Sequence, residues 1–426
     1  MDELRTLDDL DVEGQRVLLR ADLNVPVSAA ASARLHVADD ARIRSALPTI
    51  EELRLRGARL VLASHLANPE QRNDGGSMRP VAERLEQLTG MSVPLASAVV
   101  GRDVRLLTER LLPGAMLMLE NVRLEPGERR NDPMLAAALA ELADIYVNDD
   151  FASSHCAYAS TEGVSHLLPS AAGRLVEHEV GALNAILDRP NRPLTVILGG
   201  ARLRAKIALV RRFLEIADVI CIGGAVAVPF LAAQGHRVGA CGCPTDDLAL
   251  ARAALTAAGV TARVELPQDL LLAVASGRED GSRARALDGV DVPDGWIAND
   301  IGPRTASRYA AEVAAGATVF WNGPMGRSES ARFATGTRRI AGAVAHTPAT
   351  TVVSGAHAVE ALRASGLQNY VSHVSTGGDA TLEFLEGHEL PGIRVLMQGS
   401  VTDLDGCRSE PSSRRAPRRR PRPVVT

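Results

Sequence analysis

Short apolar runs alternate with stretches of helical spacing along most of the chain. The apolar runs predict strands, because they are short, nearly continuous in hydrophobicity and followed by polar or glycine-rich turns. The predicted strands cover residues 16–20, 60–65, 117–120, 145–149, 195–200, 219–224, 264–269, 318–323, 351–355 and 370–378. The predicted helices between them include residues 42–56, 81–88, 133–142, 173–187 and 307–315. Alternation of strands and helices with buried strands is typical of an α/β fold with parallel sheets.

The number of predicted strands indicates two domains, since this many strands are unusual for one open sheet. We place the division between residues 161 and 193. This stretch contains a predicted helix and then the turn-rich sequence DRPNRP, which together form a plausible connecting helix and hinge.

The residues that follow the strands differ between the two halves of the chain. In open α/β sheets, ligands bind beyond the carboxyl ends of the strands. Polar and charged side chains stand at these ends in the first half: Arg20, Asp22, Asn24, His65, Arg123, Asn148 and Asp149. Glycines stand there in the second half: Gly199, Gly200, Gly223, Gly224, Gly323, Gly355, Gly377 and Gly378. Glycines let backbone N–H groups approach phosphates closely. The pattern therefore predicts a small anionic ligand in the first half and a nucleotide in the second, as in a two-substrate phosphotransferase.

Composition narrows the class of protein. With 46% hydrophobic residues the chain can form a sizeable core, and its longest uncharged apolar run, residues 219–233, is too short and too interrupted to span a membrane. Five cysteines argue against a disulfide framework, and the acidic N-terminus lacks the apolar core of a secretory signal, so we expect a cytoplasmic protein. Residues 408–426 carry seven arginines and one glutamate, a net +6, which leaves −10 on the rest of a chain whose total is −4. The net charge of −10 on residues 1–407 argues against nucleic-acid binding by this part of the chain. The Arg/Pro-rich tail, residues 408–426, is predicted to be disordered.

Lys206 is the single lysine among 47 basic residues. It follows a strand-end glycine pair by a few residues and lies at the start of a predicted helix, in LGGARLRAKIALV. Since arginine is used everywhere else, a role that needs the compact ammonium group is indicated, such as contact with a phosphoryl group. The alternative is a lysine retained by chance on a solvated helix face.

The sequence resembles the phosphoglycerate kinase family over nearly all of residues 5–397. The matching stretches, in the order of the family, are RVLLRADLNVP, ARIRSALPTI, ASHL, MLMLENVR, PGERRNDP, ADIYVNDDF, LPSAAG, VILGGARLRAKI, GWIANDIGP, FWNGPMG, VSHVSTGG and LEFLEGHELPGI. The resemblance implies two Rossmann-like domains that face each other across a cleft. It further implies that 3-phosphoglycerate or 1,3-bisphosphoglycerate binds to the first domain and Mg²⁺ with ATP or ADP to the second, in a monomer.

With the resemblance, the expected boundaries are residues 1–172 for the substrate-binding domain, 173–193 for the connecting helix and hinge, and 194–385 for the nucleotide-binding domain. A C-terminal segment, 386–407, is expected to return to the first domain, before the tail at 408–426. The matched substrate-binding positions are Asp22, Asn24, Arg42, His65 and Arg123. Arg42 resembles the catalytic arginine of the family. Lys206 resembles the phosphate-contacting lysine and is the second catalytic candidate, Glu329 resembles the ribose-contacting glutamate, and Gly355 falls in the phosphate loop.

The sequence departs from the family pattern in the loops expected to hold phosphates. The family's SHLGRP reads SHLANP, HRAH reads HCAY and GGDT reads GAHA, so two arginines become Asn68 and Cys156 and the magnesium-positioning aspartate becomes His357. The last glycine of STGGG is Asp379, which could supply the lost carboxylate if the two loops are neighbours, and which is the one tentative metal ligand. Loss of two hydrogen bonds to a charged phosphate would weaken binding by roughly 3–6 kcal/mol, or about 10²–10⁴-fold.

Three interpretations stay open on the sequence: a slow phosphoglycerate kinase, a divergent carboxylate kinase whose acceptor acid lacks the phosphate, and a family member that binds ligands without catalysis. The departures favour the second and third, whereas retention of Arg42 and Lys206 favours the first two.

Overall fold

The computed structural model describes residues 3–29, 35–66, 76–258, 262–275 and 284–398. Asn68 and the Arg/Pro-rich tail lie outside these ranges. The described chain contains two parallel sheets, of five and six strands, which lie in successive halves of the sequence. This arrangement confirms the predicted α/β fold with two domains.

The strands take up most of the predicted apolar runs. Their bounds are β1 (Arg16–Ala21), β2 (Val27–Ala29), β3 (Leu35–Val37), β4 (Arg59–Ala63), β5 (Met116–Met118), β6 (Ile145–Asp149), β7 (Ser170–Ala172), β8 (Leu194–Leu198), β9 (Val219–Ile222), β10 (Arg263–Glu265), β11 (Leu270–Val274), β12 (Ala284–Leu287), β13 (Trp296–Ile301), β14 (Thr318–Asn322), β15 (Thr350–Ser354) and β16 (His373–Val374). The first sheet has the order β5-β4-β1-β6-β7, and the second has the order β10-β9-β8-β14-β15-β16.

The helices connect these strands and cover the sheets. Their bounds are α1 (Ala41–Leu55), α2 (Arg79–Thr89), α3 (Arg102–Glu109), α4 (Pro133–Ala140), α5 (Arg174–Leu187), α6 (Ile207–Ile216), α7 (Ala227–Ala233), α8 (Thr245–Ala257), α9 (Pro303–Ala315), α10 (Thr335–His346), α11 (Ala356–Ala364), α12 (Asp379–Leu385) and α13 (Pro391–Arg394). In the described parts of the chain, none of them combines the length and the hydrophobicity that a membrane crossing requires.

The central strands are apolar at successive positions because both faces of each sheet are buried. In β1, Val17 and Leu19 belong to one hydrophobic cluster and Leu18 belongs to the cluster on the other face. In β8, Val196 and Ile197 are divided in the same way. Since successive side chains of a strand point to opposite faces, a parallel sheet between two helical layers requires this continuous apolar pattern.

Two antiparallel elements were not expected from the sequence. β12, β11 and β13 form a three-stranded sheet in the second half of the chain, and β2 pairs with β3 in a hairpin. The pairing of β11 with β13 is interrupted by a register shift between Leu271 and Leu272. The strand predicted at residues 370–378 is shorter than expected, since only His373–Val374 pair with β15.

The polypeptide connects the two halves of the molecule in two places. Helix α5 follows β7 of the first sheet and precedes β8 of the second, and its residues Val176 and Leu183 lie in a core shared with Ile393. The chain beyond α12 then returns to the first sheet. There the Arg5 backbone N–H donates to the Leu396 carbonyl at 3.0 Å, and the Asn148 side-chain amide donates to the Gly392 carbonyl at 3.0 Å.

The buried carboxylate of Glu179 ties α5 to the second sheet. It accepts hydrogen bonds from the Thr376 backbone N–H at 2.6 Å and the Thr376 hydroxyl at 2.9 Å, and the His373 ring nitrogen lies 2.8 Å away. Glu179 has no exposed surface. The connecting helix is therefore joined to the loop that follows β16 by a cluster of hydrogen bonds.

Candidate active site

A buried cation organises the first half of the site. Arg20, at the end of β1, is 1% exposed. Its guanidinium forms an ion pair with Asp150 at 2.7 Å and donates hydrogen bonds to Ser160 Oγ at 2.9 Å and to His65 Nδ1 at 3.0 Å. A buried charge with this set of partners holds its neighbours in fixed orientations.

The contact with Arg20 determines the state of His65. Burial, and then the positive charge of Arg20, lower the pKa of His65 well below its usual value of 6.5. The imidazole is therefore neutral near pH 7. Because the guanidinium can only donate, Nδ1 accepts, and the ring proton lies on Nε2. His65 thus has one N–H group that can donate to an anionic ligand.

Asp22 and Arg42 form an ion pair beside this network. Asp22 follows β1 and is 2% exposed, whereas the Arg42 side chain, on the first turn of α1, is 39% exposed. Burial and the nearby Asp150 raise the pKa of Asp22 to about 6, and Arg42 opposes that rise. The Asn24 backbone N–H donates to Asp22 Oδ1 at 3.2 Å. The pair therefore holds Arg42 with part of its guanidinium open to solvent.

The predicted substrate-binding side chains converge on one site. The charges of Arg42 and Arg123 both contribute to the low pKa of His65. Asp22 is joined to Arg42 directly and lies close enough to Asp150 to respond to its charge. Asp22, His65 and Arg123 follow β1, β4 and β5, and Arg42 lies in the first turn of α1, so the arrangement arises from the parallel order of the strands at one edge of the sheet.

Arg123 lies next to the altered HCAY segment. Burial lowers the pKa of Arg123, the positive charge of Arg129 lowers it further, and Tyr158 acts in the opposite direction. Tyr158 is half-buried, and burial together with the nearby Cys156 side chain raises the pKa of its hydroxyl. The replacement residues at 156 and 158 thus form a thiol–phenol pair at the edge of the cationic site.

Lys206 lies in the glycine-rich half. Its ammonium donates to the Gly199 carbonyl at 2.5 Å, to Asn322 Oδ1 at 2.5 Å and to the Asn322 carbonyl at 3.3 Å. Burial lowers the pKa of Lys206 to about 8. Gly323 has φ of +87°, and a Cβ there would come within 2.7 Å of the ammonium nitrogen. A glycine is therefore needed for the close approach of backbone and ammonium.

A cavity of about 500 Å³ adjoins these glycines. Gly200, Gly224, Glu329 and His357 are among the residues that line it. A hydrogen bond from its own backbone N–H lowers the pKa of Glu329, and the nearby His357 contributes in the same direction. Glycines suit a phosphate chain and a carboxylate suits a sugar hydroxyl, so the residues that line this cavity fit a nucleotide.

A second cavity, of about 430 Å³, lies between the two halves of the molecule. Arg42 and Asp39 line it from the first half, and Gly355, Thr376 and Gly378 line it from the second. Lys206 is not among the lining residues. It approaches this cavity through Asn322, whose amide nitrogen would lie 3.1 Å from a Cβ built on Gly355. The structure therefore brings Arg42 to the loop at Gly355 and places Lys206 one side chain behind that loop.

His357 and Asp379 lie in the first turns of α11 and α12, which follow the neighbouring parallel strands β15 and β16. Asp379 is exposed and begins α12, directly after the cavity-lining Gly378. Within the described ranges, no three histidine, cysteine or acidic side chains are grouped so that they could hold a metal ion. Asp379 thus lies one residue beyond the lining of this cavity.

The comparison with known proteins covers almost the whole fold. The family model described as phosphoglycerate kinase matches residues 7–388. The chain belongs to the phosphoglycerate kinase family. The phosphoglycerate kinase of Desulforudis audaxviator is 44% identical over 393 residues, which cover 92% of this chain and 98% of the relative. That of Rubrobacter xylanophilus is 45% identical with the same coverage.

Solved structures agree with this assignment. The phosphoglycerate kinase of Coxiella burnetii superposes with a TM-score of 0.82 at 35% identity, covering 92% of this chain and 98% of that chain. The enzyme of Pyrococcus horikoshii gives a TM-score of 0.77 at 29% identity with the same coverage. Membership in the phosphoglycerate kinase family is thus supported by both sequence and fold.

Sequence reasoning missed three groups in this phosphoglycerate kinase fold that hold the expected site residues in place. Asp150 pairs with Arg20, Ser160 binds both Arg20 and Glu128, and Asn322 holds Lys206. A usable signal existed for the first group, since an arginine inside a buried strand requires a partner carboxylate. The contacts of Ser160 and Asn322 depend on residues far apart in the chain, and no local pattern indicates them.

Proposed function

We propose that this chain is a phosphotransferase that catalyses ATP + 3-phosphoglycerate = ADP + 1,3-bisphosphoglycerate, a step of glycolysis, as a cytoplasmic monomer. The observation that carries the proposal is the inter-domain cavity. Arg42, joined to the anion-binding residues of the first half, faces Gly355 and Gly378 of the second half there. A transferring phosphoryl group needs such a place, open to an acceptor on one side and to a nucleotide on the other.

The residues of the first half would bind and orient the acceptor. Neutral His65 would donate a hydrogen bond from its Nε2–H to the acceptor. The side chains of Asp22 and Asn24 would form hydrogen bonds with the hydroxyl and carboxyl groups of the acceptor. Arg123 would provide positive charge at the far end of the acceptor. Arg42, held by Asp22, would stabilise negative charge on the phosphoryl group as it moves. Catalysis of this kind depends mainly on positioning and electrostatic stabilisation.

The residues of the second half would bind the nucleotide. The Gly200 and Gly224 loops, which have positive φ of 101° and 61°, can bring backbone N–H groups to the phosphates. Lys206 would supply an ammonium behind the phosphates, and Glu329 would accept from the ribose. The glycine cradle fits Mg²⁺-bound ATP or ADP, and the cation would contribute charge neutralisation of the phosphates when bound. Asp379, which follows the cavity-lining Gly378, is the proposed carboxylate ligand of that cation.

One observation favours a second candidate, a carboxylate kinase whose acceptor has no phosphate tail. The thiol–phenol pair of Cys156 and Tyr158 borders Arg123 where the family pattern has an arginine. The loss of that guanidinium, together with Asn68 in the preceding loop, would make this end of the site less cationic. We expect the same losses to slow the reaction with 3-phosphoglycerate.

The proposed activity is tested by a coupled assay with 3-phosphoglycerate, ATP and Mg²⁺. Lys206→Ala is the control variant, because it removes the single ammonium in the glycine-rich half. Turnover by the unaltered protein that exceeds this variant would support the proposal, and equal rates would refute it. If both rates are at background, calorimetry with Mg-ATP separates the remaining interpretations. Nucleotide binding with no heat from 3-phosphoglycerate would favour a different acceptor, and absence of nucleotide binding would favour a non-catalytic protein.

A further inference from the structure

We propose that Arg129 is a specificity-determining residue that binds the phosphate monoester of the acceptor. This inference rests on the proposed function and names a residue that neither the sequence motifs nor the family pattern singles out. It follows from the way in which two short turns and one buried glutamate place a second guanidinium beside Arg123.

The backbone first brings the two arginines onto the same loop. Arg123 lies in the 3-10 turn Val122–Leu124, and Arg129 lies in the 3-10 turn Glu128–Arg130. Between them the Glu125 N–H donates to the Val122 carbonyl at 3.1 Å, and the Glu128 N–H donates to the Glu125 carbonyl at 3.1 Å. Successive tight turns keep the two segments close together.

Glu128 then fixes this loop against the segment that contains Cys156 and Tyr158. Its side chain is 1% exposed and accepts from the Ser160 hydroxyl at 2.5 Å and the Ser160 N–H at 3.0 Å. Its carbonyl accepts from the Ala159 N–H at 3.0 Å. Ser160 Oγ also accepts from the buried Arg20. Because Glu128 is held by these hydrogen bonds, the backbone of the next residue, Arg129, has a well-defined position.

The electrostatics agree with this placement. The positive charge of Arg129 lowers the pKa of Arg123, after the larger effect of burial. Both guanidinium groups also act on Tyr158, where they oppose the rise in pKa that burial causes. Arg123, Arg129 and Tyr158 therefore lie close enough for their charges to interact, while the Glu128 carboxylate is engaged with Ser160. Arg129 itself is exposed, so a ligand in the site could reach it.

Such a cluster suits a dianionic phosphate monoester. Guanidinium groups bind phosphate oxygens through paired hydrogen bonds, and two adjacent ones attract a double negative charge more strongly than a single one does. Arg129 would approach the phosphate from the 128–130 turn, whereas the family arginine at position 156 would approach it from the 153–158 segment. The cation would thus be supplied from another loop, and the acceptor would keep its phosphate despite Cys156.

The test compares Arg129→Ala with Arg130→Ala. Arg130 is the adjacent residue of the same turn and is also exposed, so its variant controls for loss of surface charge. We expect Arg129→Ala to raise the KM for 3-phosphoglycerate about ten- to a hundred-fold with little change in kcat, since a charged hydrogen bond outside the reacting group is lost. Arg130→Ala should leave both unchanged. Calorimetry should show that Arg129→Ala loses most of the preference for 3-phosphoglycerate over glycerate and binds Mg-ATP normally.

A rescue variant separates binding by Arg129 from a purely structural effect. Introducing Cys156→Arg into the Arg129→Ala background should lower the KM again, since it returns a guanidinium to the cluster from the other loop. Equal KM values for the two alanine variants, in a protein that turns over, would overturn the role of Arg129 and leave the proposed function intact. Binding of 3-phosphoglycerate that depends on Arg129, without turnover, would refute the proposed function alone. Absence of 3-phosphoglycerate binding by the unaltered protein would overturn both.

Discussion

The ammonium of Lys206 should titrate near pH 8, more than two pH units below an ordinary lysine. Burial lowers its pKa from 10.5 to about 8. Lowering the pKa of Lys206 from 10.5 to about 8 corresponds to roughly 3 kcal/mol of unfavourable free energy for the charged form in the free protein. The hydrogen bonds to Gly199 and Asn322 reduce this cost without removing it. An anionic nucleotide beside the ammonium would relieve it, so the pKa should rise when ATP binds.

The shift makes stability depend on pH with a definite sign. Between pH 8 and 10.5 the unfolded chain keeps the proton of Lys206 and the folded chain has released it. The unfolded state then binds more protons, and the free energy of unfolding rises with pH across this window. Below pH 8 the full penalty remains. From pH 8 to 9.5, the unaltered protein should gain roughly 1.5 kcal/mol relative to Lys206→Met.

Because Lys206 is the only lysine, two measurements can isolate it. Protein labelled with ¹³Cε-lysine should give one lysine resonance, with a midpoint near pH 8 that moves upward on addition of ATP. Urea unfolding of the unaltered protein and of Lys206→Met at pH 8 and 9.5 supplies the stability difference. The methionine variant also leaves Asn322 without its donor, but that cost is independent of pH and cancels between the two conditions. A midpoint near 10.5, or stability curves that stay parallel, would refute the reasoning.

Two further substitutions each test one residue that lines a cavity, Arg42 in the first half of the molecule and His357 in the second. Arg42→Ala should lower kcat by about 10²–10³-fold with nucleotide affinity unchanged, because it removes one group that stabilises developing charge. The matched control is Arg44→Ala on the same helix, since Arg44 pairs with Asp40 and not with Asp22. If steady-state kinetics show that both variants lose activity equally, the assignment of Arg42 is wrong. His357→Asp should increase the affinity for ATP about ten-fold in the presence of Mg²⁺ and not in its absence, since a carboxylate at the nucleotide cavity would favour the cation. Calorimetry with and without Mg²⁺ measures this, and an equal gain under both conditions would contradict it.

The fold was predictable where burial alone dictates the pattern. Strands such as β1 and β14 are apolar at successive positions because both faces of their sheets are covered, and this signal needs no knowledge of partners. The antiparallel sheet of β11, β12 and β13 gave a weaker signal. β12 is partly or largely exposed along its length, and the register shift in β11 interrupts the alternation that would have revealed it.

The residues of the candidate site could be predicted from the sequence, but the arrangement of their side chains could not. Strand ends identified Asp22, His65 and Arg123, because polar groups after buried strands have few structural reasons to be there. Which of them touch depends on side-chain reach between the segments that follow neighbouring strands of the first sheet. Lys206 points to Asn322 and not into the cavity that Arg42 lines, which no spacing along the chain could indicate. The neighbourhood of Arg129 and Tyr158 likewise arises from turns that are far apart in sequence.

The double crossing of the polypeptide between the halves has a mechanical consequence. Helix α5 is one link, and the return of the chain beyond α12 to Arg5 and Asn148 is the other. Two separate links allow the halves to rotate about the line that joins the two links, and they resist rotation about other axes. Proteolytic cleavage within either link alone would leave the halves attached through the other.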